Sequence, residues 1–210
     1  MRLVLISDTH GMHQQLKNIP DGDVLIHSGD FTGYGDSYEV VAFNNWIGTL
    51  PHKHKIVIAG NHDTCMEDNK NHKHFTNAHY LQDSFIEIDG FKFYGSPYTP
   101  TFLHWSFMED DSELYKRWSL IPHDVDVLIT HGPPKGVLDS LNDQFGGTRN
   151  VGSNSLREWV LLNKPKCHIF GHIHSGHGQQ KLNETNCING AILNEQYEIE
   201  YKPIVFDLER

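Results

Sequence analysis

Short apolar runs recur along the chain, and a polar cluster follows each one. Leu3-Val4-Leu5-Ile6, Val24-Leu25-Ile26, Ile56-Val57-Ile58, Val127-Leu128-Ile129 and His168-Ile169-Phe170 are too short for buried helices. Most are rich in β-branched residues, so they predict buried strands. Longer amphipathic stretches lie between them. Residues 37–50 predict a helix with Ser37 as its cap and Pro51 just past its end. Residues 110–120, closed by Pro122, predict a second helix, and residues 153–163 a third. Phe85-Ile86-Glu87-Ile88 and Phe91-Lys92-Phe93-Tyr94 flank Asp89-Gly90, a strong hairpin signal, so the sheets are expected to be mixed. The tail closes on a further strand at Ile204-Val205-Phe206. Such alternation implies an α/β layered fold. Residues 64–79, 96–110 and 142–152 lack a period and read as irregular; the last holds Gly146, Gly147 and Gly152 around Arg149. Loops of this kind on a rigid sheet commonly shape a site.

The bulk numbers narrow the class. A chain of 210 residues fits a single domain, 1–210. A domain of this size buries roughly 70% of its unfolded surface and needs no disulfide staple. Cys65, Cys167 and Cys187 are sparse, odd in number and without Cys-x-x-Cys spacing, which suits buried thiols in a reducing compartment. Leu3 to Ile6 is too short for the apolar core of a signal peptide, and no run approaches a membrane span. The expected location is the cytoplasm. A formal net charge of -10 disfavours long nucleic acid as a partner.

The polar clusters after the strands carry the chemistry. They are Asp8-Thr9-His10, Gly29-Asp30, Gly60-Asn61-His62-Asp63, Thr130-His131-Gly132 and Gly171-His172-Ile173-His174. Together they offer carboxylates, imidazoles and an amide carbonyl at the carboxyl ends of several strands, where open α/β sheets place their sites. Each cluster alone is ordinary turn chemistry; in register they make coincidence improbable. Their order and content resemble the calcineurin-like metallophosphoesterase superfamily over essentially the whole chain. Gly29-Asp30-Phe31-Thr32, Tyr94-Gly95-Ser96-Pro97 and His131-Gly132-Pro133-Pro134 are similar to its small MPPED-type subgroup, associated with hydrolysis of phosphodiesters, cyclic nucleotides among them.

The resemblance implies a four-layer αββα sandwich with two mixed β-sheets. It implies two adjacent metals, one held by Asp8, His10 and His174, the other by Asn61, His131 and His172, with Asp30 bridging. Oxygen and imidazole donors without thiolate suit Mn²⁺, with Fe or Zn²⁺ as alternatives. Alternate spacing within Asp8-Thr9-His10 and His172-Ile173-His174 would aim both ligands of an extended segment one way. A hydroxide bridging the metals is the implied nucleophile. His62 would protonate the leaving oxygen, and Asp63 would orient His62 by hydrogen bonding. Two cations make such a pocket locally positive whatever the net charge, so the expected partner is a small phosphorylated substrate.

The remaining histidines read differently. His52, His54, His72, His74, His79 and His123 lie in polar stretches and are expected to be solvated; His27 and His168 lie in apolar strands and are expected in the core. His13, His104 and His177 are candidates for substrate contact. Arg149 is the candidate phosphate-facing cation, its alternative a plain surface arginine. Phe102, Trp105 and Phe107 would either stack on a nucleobase or pack. The leading functional expectation is a dinuclear phosphodiesterase. A phosphomonoesterase, a nuclease and a non-catalytic scaffold are the alternatives.

Overall fold

The structure, a computed structural model, describes residues 1–142 and 147–210. Its elements run β1 (Arg2–Ile6), β2 (Val24–Ser28), α1 (Ser37–Gly48), β3 (His54–Ile58), β4 (His79–Tyr80), β5 (Ser84–Ile88) and β6 (Phe91–Ser96). Then come β7 (Thr99–Pro100), β8 (Met108–Glu109), α2 (Asp111–Trp118), β9 (Val127–Thr130), β10 (Ser140–Asn142), β11 (Thr148–Asn150) and α3 (Asn154–Asn163). The chain closes with β12 (Cys167–Phe170), β13 (Gly178–Leu182), β14 (Thr185–Asn189) and β15 (Ile204–Asp207). One sheet has the order β15-β1-β2-β3-β4, the other β13-β14-β12-β9-β6-β5. Both are mixed. Their centres are parallel, while β15 joins the first and β5 and β13 the second antiparallel.

Alternation along each strand divides the side chains between two cores. Leu3, Leu5, Ile26 and Ile56 pack between the sheets against Phe93, Ile129 and Ile169. Val4, Ile6, Leu25 and Val57 face the other way, onto Phe43 and Ile47 of α1. On the far side Leu128 and Phe170 meet Trp118 of α2 and Trp159 of α3. The result is helix, sheet, sheet, helix: the expected αββα order.

Local expectations fare unevenly. The hairpin forms between β5 and β6, with Asp89 and Gly90 both at positive φ (49° and 83°), as a type I′ turn demands. The cap of α1 is Asp36, not Ser37: the Glu39 carboxylate turns back to accept from the amides of Gly33, Tyr34 and Asp36. The segment 142–152 is not wholly irregular, since β10 and β11 pair across it; Gly146 lies outside the described residues. His52 is buried, its Nε2 donating to the Pro20 carbonyl, so a polar neighbourhood in sequence misled there. Cys167 and Cys187 are buried thiols and Cys65 is half-buried. Among the described residues no helix is long and apolar enough to cross a membrane.

His27 and His168 are fully buried, as expected, and burial holds both at about 3 against 6.5 for an exposed imidazole. The unfolded chain therefore takes up protons that the folded chain refuses. Their contribution to stability is complete above pH 6.5 and is lost as the pH falls toward 3. The slope is at most about 1.4 kcal/mol per pH unit for each histidine. Urea unfolding across that window should show the slope, and His168→Gln should flatten it. Equal slopes in variant and wild type would exclude His168 as a source.

Candidate metal centre

Each polar cluster sits just beyond the carboxyl end of its strand, and the two sheets bring all of them to one edge. Ser7 after β1 bridges to Ala191 after β14, and the Gly171 amide donates to the His131 carbonyl. The ligand-bearing segments are not extended, contrary to expectation. Asp8, His10, Asp30 and His172 all have positive φ, between 41° and 66°. This left-handed backbone is costly for residues other than glycine and concentrates at functional sites. It turns each side chain back over the strand ends while the amides stay paired: Asp8 N–H donates to the Gly29 carbonyl, His10 N–H to the Asp30 carbonyl and His172 N–H to the Asp8 carboxylate.

The motif glycines have a steric role here. A Cβ on Gly171 would collide with the Asp8 carboxylate, and one on Gly60 with the Asp30 carboxylate. Replacing Gly171 by any other residue would force the Asp8 carboxylate or the Ser7 side chain to shift.

Three overlapping groups of ligand atoms result, each within 4.8 Å: Asp8, His10 and His174; His10, Asp30 and His62; Asp30, His131 and His172. Asn61 joins the third, its Oδ1 3.0 Å from His131 Nε2. All seven residues expected as ligands therefore converge. Asp30 is common to two groups. Its Oδ2 lies 3.7 Å from His10 Nε2 and 3.3 Å from His131 Nε2, while its Oδ1 accepts from the His62 amide.

The donor set fits divalent cations. His131 Nδ1 lies 3.0 Å from the Ser28 carbonyl and His174 Nδ1 2.9 Å from the Asn194 carbonyl. Carbonyls only accept, so both rings carry their proton on Nδ1 and turn the Nε2 lone pair inward. There His174 Nε2 faces His10 Nε2 at 3.4 Å, and His131 Nε2 faces two oxygens. Lone pairs pointed at one another need a positive charge between them, which a proton or a metal ion supplies. The charges agree. Burial opposes an ionised Asp8, yet His174 holds it down at about 2. Burial also opposes a charged His131, yet Asp30 lifts it to about 9.

His62 belongs to the second of these groups, a ring nitrogen within 4.8 Å of an Asp30 oxygen, but among the described residues no carboxylate hydrogen-bonds to its ring. Its ring packs edge-on to His10 at 4.5 Å and stacks on Trp105 at 4.3 Å, and its Nδ1 is 3.4 Å from the Gly33 carbonyl. The expected hydrogen bond from Asp63 to the His62 ring is not formed. The Asp63 carboxylate is fully buried on the other side of the loop. It accepts from the amides of Asp30, Thr32 and Gly60, from the Thr32 hydroxyl, and more weakly from the Phe31 amide. Asp63 thus shapes the loop that carries Asp30.

Other candidates separate cleanly. Arg149 lines a cavity of about 310 Å³ with Phe102, Leu141, Val151 and Ile173, and His172 opens onto it. Phe102 lies 5.6 Å from the His172 ring. Phe107 is buried and packs in the core, whereas Trp105 and Phe102 are exposed at the site. His13 is buried against Phe43 and Trp46, away from the ligands. His177 stacks on Tyr201, and His104 is exposed.

Residues 1–176 match the family model described as calcineurin-like phosphoesterase. The chain belongs to that family. It is 41% identical over 227 residues to a UPF0046 protein of Caenorhabditis elegans, covering 99% of this chain and 81% of the relative. It is 38% identical over 234 residues to metallophosphoesterase domain-containing protein 1 of Homo sapiens, covering 99% and 71%. Among solved structures, TT1561 of Thermus thermophilus superposes with a TM-score of 0.61 at 16% identity over 90% of this chain and 88% of that one, a likeness of fold. Membership makes this chain a metal-dependent phosphoesterase, and its His and Asp clusters supply sites for divalent metals.

Several supporting groups escape sequence reasoning. Thr130 donates to the Gly132 carbonyl, so His168 Nε2–H must donate to Thr130 Oγ1, 2.8 Å away, bracing the His131 turn. Thr9 and His27 make the equivalent contact behind Asp8 and His10, at 2.9 Å. A histidine inside an apolar strand was the available signal. The Ser28 and Asn194 carbonyls carry no side-chain signal at all.

Proposed function

We propose that this metal-dependent phosphoesterase is a dinuclear phosphodiesterase acting on small phosphodiesters, cyclic nucleotides among them. The observation that carries the dinuclear reading is Asp30, whose single Oδ2 faces an imidazole from each of two ligand groups. Asp8, His10 and His174 would hold one metal, Asn61, His131 and His172 the other, with Asp30 shared. Two divalent ions there, Mn²⁺ favoured, would supply Lewis acidity toward a phosphoryl group and lower the pKa of a water. The protein contributes the rest. His174 and His131 are locked in the ligating tautomer by backbone carbonyls. His62, held on Trp105, gives its proton to the leaving oxygen.

The diester preference rests on the cavity beside His172. Its described lining is mainly apolar, and Arg149 is the charged side chain in it. A diester has one negative charge fewer than a dianionic monoester and carries a second ester substituent, which such a cavity accommodates. Arg149→Met should raise KM for a diester by about tenfold, the worth of one charge-assisted hydrogen bond, with kcat little changed. An unchanged KM would leave Arg149 a plain surface arginine, exposed as it is.

The test is a comparison of kcat/KM for 3′,5′- and 2′,3′-cyclic nucleotides, a chromogenic diester and a chromogenic monoester, each with Mn²⁺, Zn²⁺ and Fe²⁺. Faster diester hydrolysis supports the proposal. A clear preference for the monoester replaces the diesterase reading with a monoesterase and leaves the phosphoesterase standing.

A further inference from the structure

The segment after β14 folds back over the metal centre and delivers Tyr197 to it. The Tyr197 ring lies 4.9 Å from the ring of His10, 5.2 Å from His174 and 6.4 Å from His62. It is nonetheless 48% exposed, so one side of the ring rests on ligands and the other is open. The phenol hydroxyl makes no hydrogen bond among the described residues.

The backbone at Tyr197 is left-handed, with φ at 61°. A bulky aromatic residue rarely takes this conformation, and it persists only where the surroundings over-determine it. Asn194 does so. Its Oδ1 accepts from the amides of Gln196 and Glu198, at 2.9 Å each, and its Nδ2 donates to Glu200. Its own amide donates to the Glu198 carbonyl, and its carbonyl accepts from Tyr197 N–H at 3.0 Å. That same carbonyl accepts from His174 Nδ1. One buried residue therefore sets both the orientation of a metal ligand and the position of the phenol relative to it.

We propose that Tyr197 contacts the substrate, its phenol hydroxyl donating a hydrogen bond to an oxygen of the phosphoryl group seated at the metal centre, with Asn194 as its positioning residue. The proposal rests on the phosphoesterase reading. It explains a strained tyrosine turned toward the ligands with its hydroxyl unspent. A ring serving only to pack would gain more from full burial and would need no left-handed turn. Phosphoryl oxygens are strong acceptors, and a neutral donor serves them without adding charge near the cations.

The probe is inorganic phosphate titrated calorimetrically into the Mn²⁺-loaded full chain, with metal content and diester turnover measured on the same samples. Tyr197→Phe keeps the ring and removes the hydroxyl. It should retain full metal content and an unchanged thermal midpoint, bind phosphate about tenfold more weakly, and lose kcat/KM in similar proportion, as expected for one hydrogen bond to a charged group. Tyr197→Gly suits the left-handed backbone and lacks the phenol, so it should show the same loss of affinity. Phosphate affinity within about twofold of wild type in both variants overturns the proposal, and so does a wild type that binds no phosphate. A wild type that binds phosphate but hydrolyses no ester removes the phosphoesterase reading instead. In that case the affinities of the variants still decide the role of Tyr197.

Discussion

Asp30→Ala is expected to abolish ester hydrolysis and to lower metal content in both halves of the centre at once. One carboxylate would serve both, because Oδ2 faces His10 on one side and His131 on the other. No neighbour can replace it. Asp8 is engaged with the His172 amide and His174, and Asp63 is spent on the loop amides. Without the shared anion, the repulsion between two dications loses its main offset. Metal per chain, measured by elemental analysis after dialysis, should fall together with the diesterase rate. Asp30→Asn keeps an acceptor for the His62 amide but not the charge, so its metal content should lie between wild type and alanine. Two tightly held metals and a near-native rate in Asp30→Ala would remove Asp30 from the centre.

His62→Ala and His131→Ala should separate proton transfer from metal binding. His131 is fully buried, with its Nδ1 committed to the Ser28 carbonyl and its Nε2 turned on Asn61 and Asp30. Its loss should drain metal and activity together. His62 is half-buried and stacked on Trp105, and among the described residues no carboxylate hydrogen-bonds to its ring. Its loss should leave metal content near wild type and cut kcat by roughly 10²–10⁴, the usual worth of a positioned general acid. The deficit should shrink for esters with a low-pKa leaving group, which need little protonation. Equal metal loss in the two variants would end this division of labour. A deficit that is the same for every leaving group would end the proton-donor role.

The two experiments probe different layers of the same design. Four of the expected ligands, Asp8, His10, Asp30 and His172, stand on left-handed backbone just beyond the strands, so their positions are inherited from the sheets. His62 and Tyr197 come from loops and are placed by stacking and by side-chain hydrogen bonds. Variants of the first kind should therefore disturb metal and fold together, and variants of the second kind chemistry alone.

Much of this was legible in the chain. Strand positions followed from apolar runs, because a strand buried on both faces admits few polar residues. The Asp89-Gly90 hairpin followed from turn chemistry, and the candidate ligands followed from the family resemblance that the motifs after the strands carry. Less followed where the deciding partner is remote in sequence. His52 looked solvated because its neighbours are polar, yet the Pro20 carbonyl 32 positions away accepts its proton. The family resemblance made Asp63 the expected partner of His62, yet adjacency along a tight turn sends the two side chains apart.

By itself, then, the sequence determined the buried strands, the mixed α/β class and the hairpin, which rest on periodicity and turn chemistry, both of them local. The αββα layering, the candidate ligands and the class of chemistry came with the resemblance of its motifs to a known family. Only the tertiary structure decided that Asp63 clamps a loop, that backbone carbonyls of Ser28 and Asn194 choose the tautomers of His131 and His174, and that Tyr197 reaches the centre. Backbone carbonyls are the same at every position, and a ring brought in by a distant turn has no local pattern. Their roles exist only once two sheets have closed on a common edge.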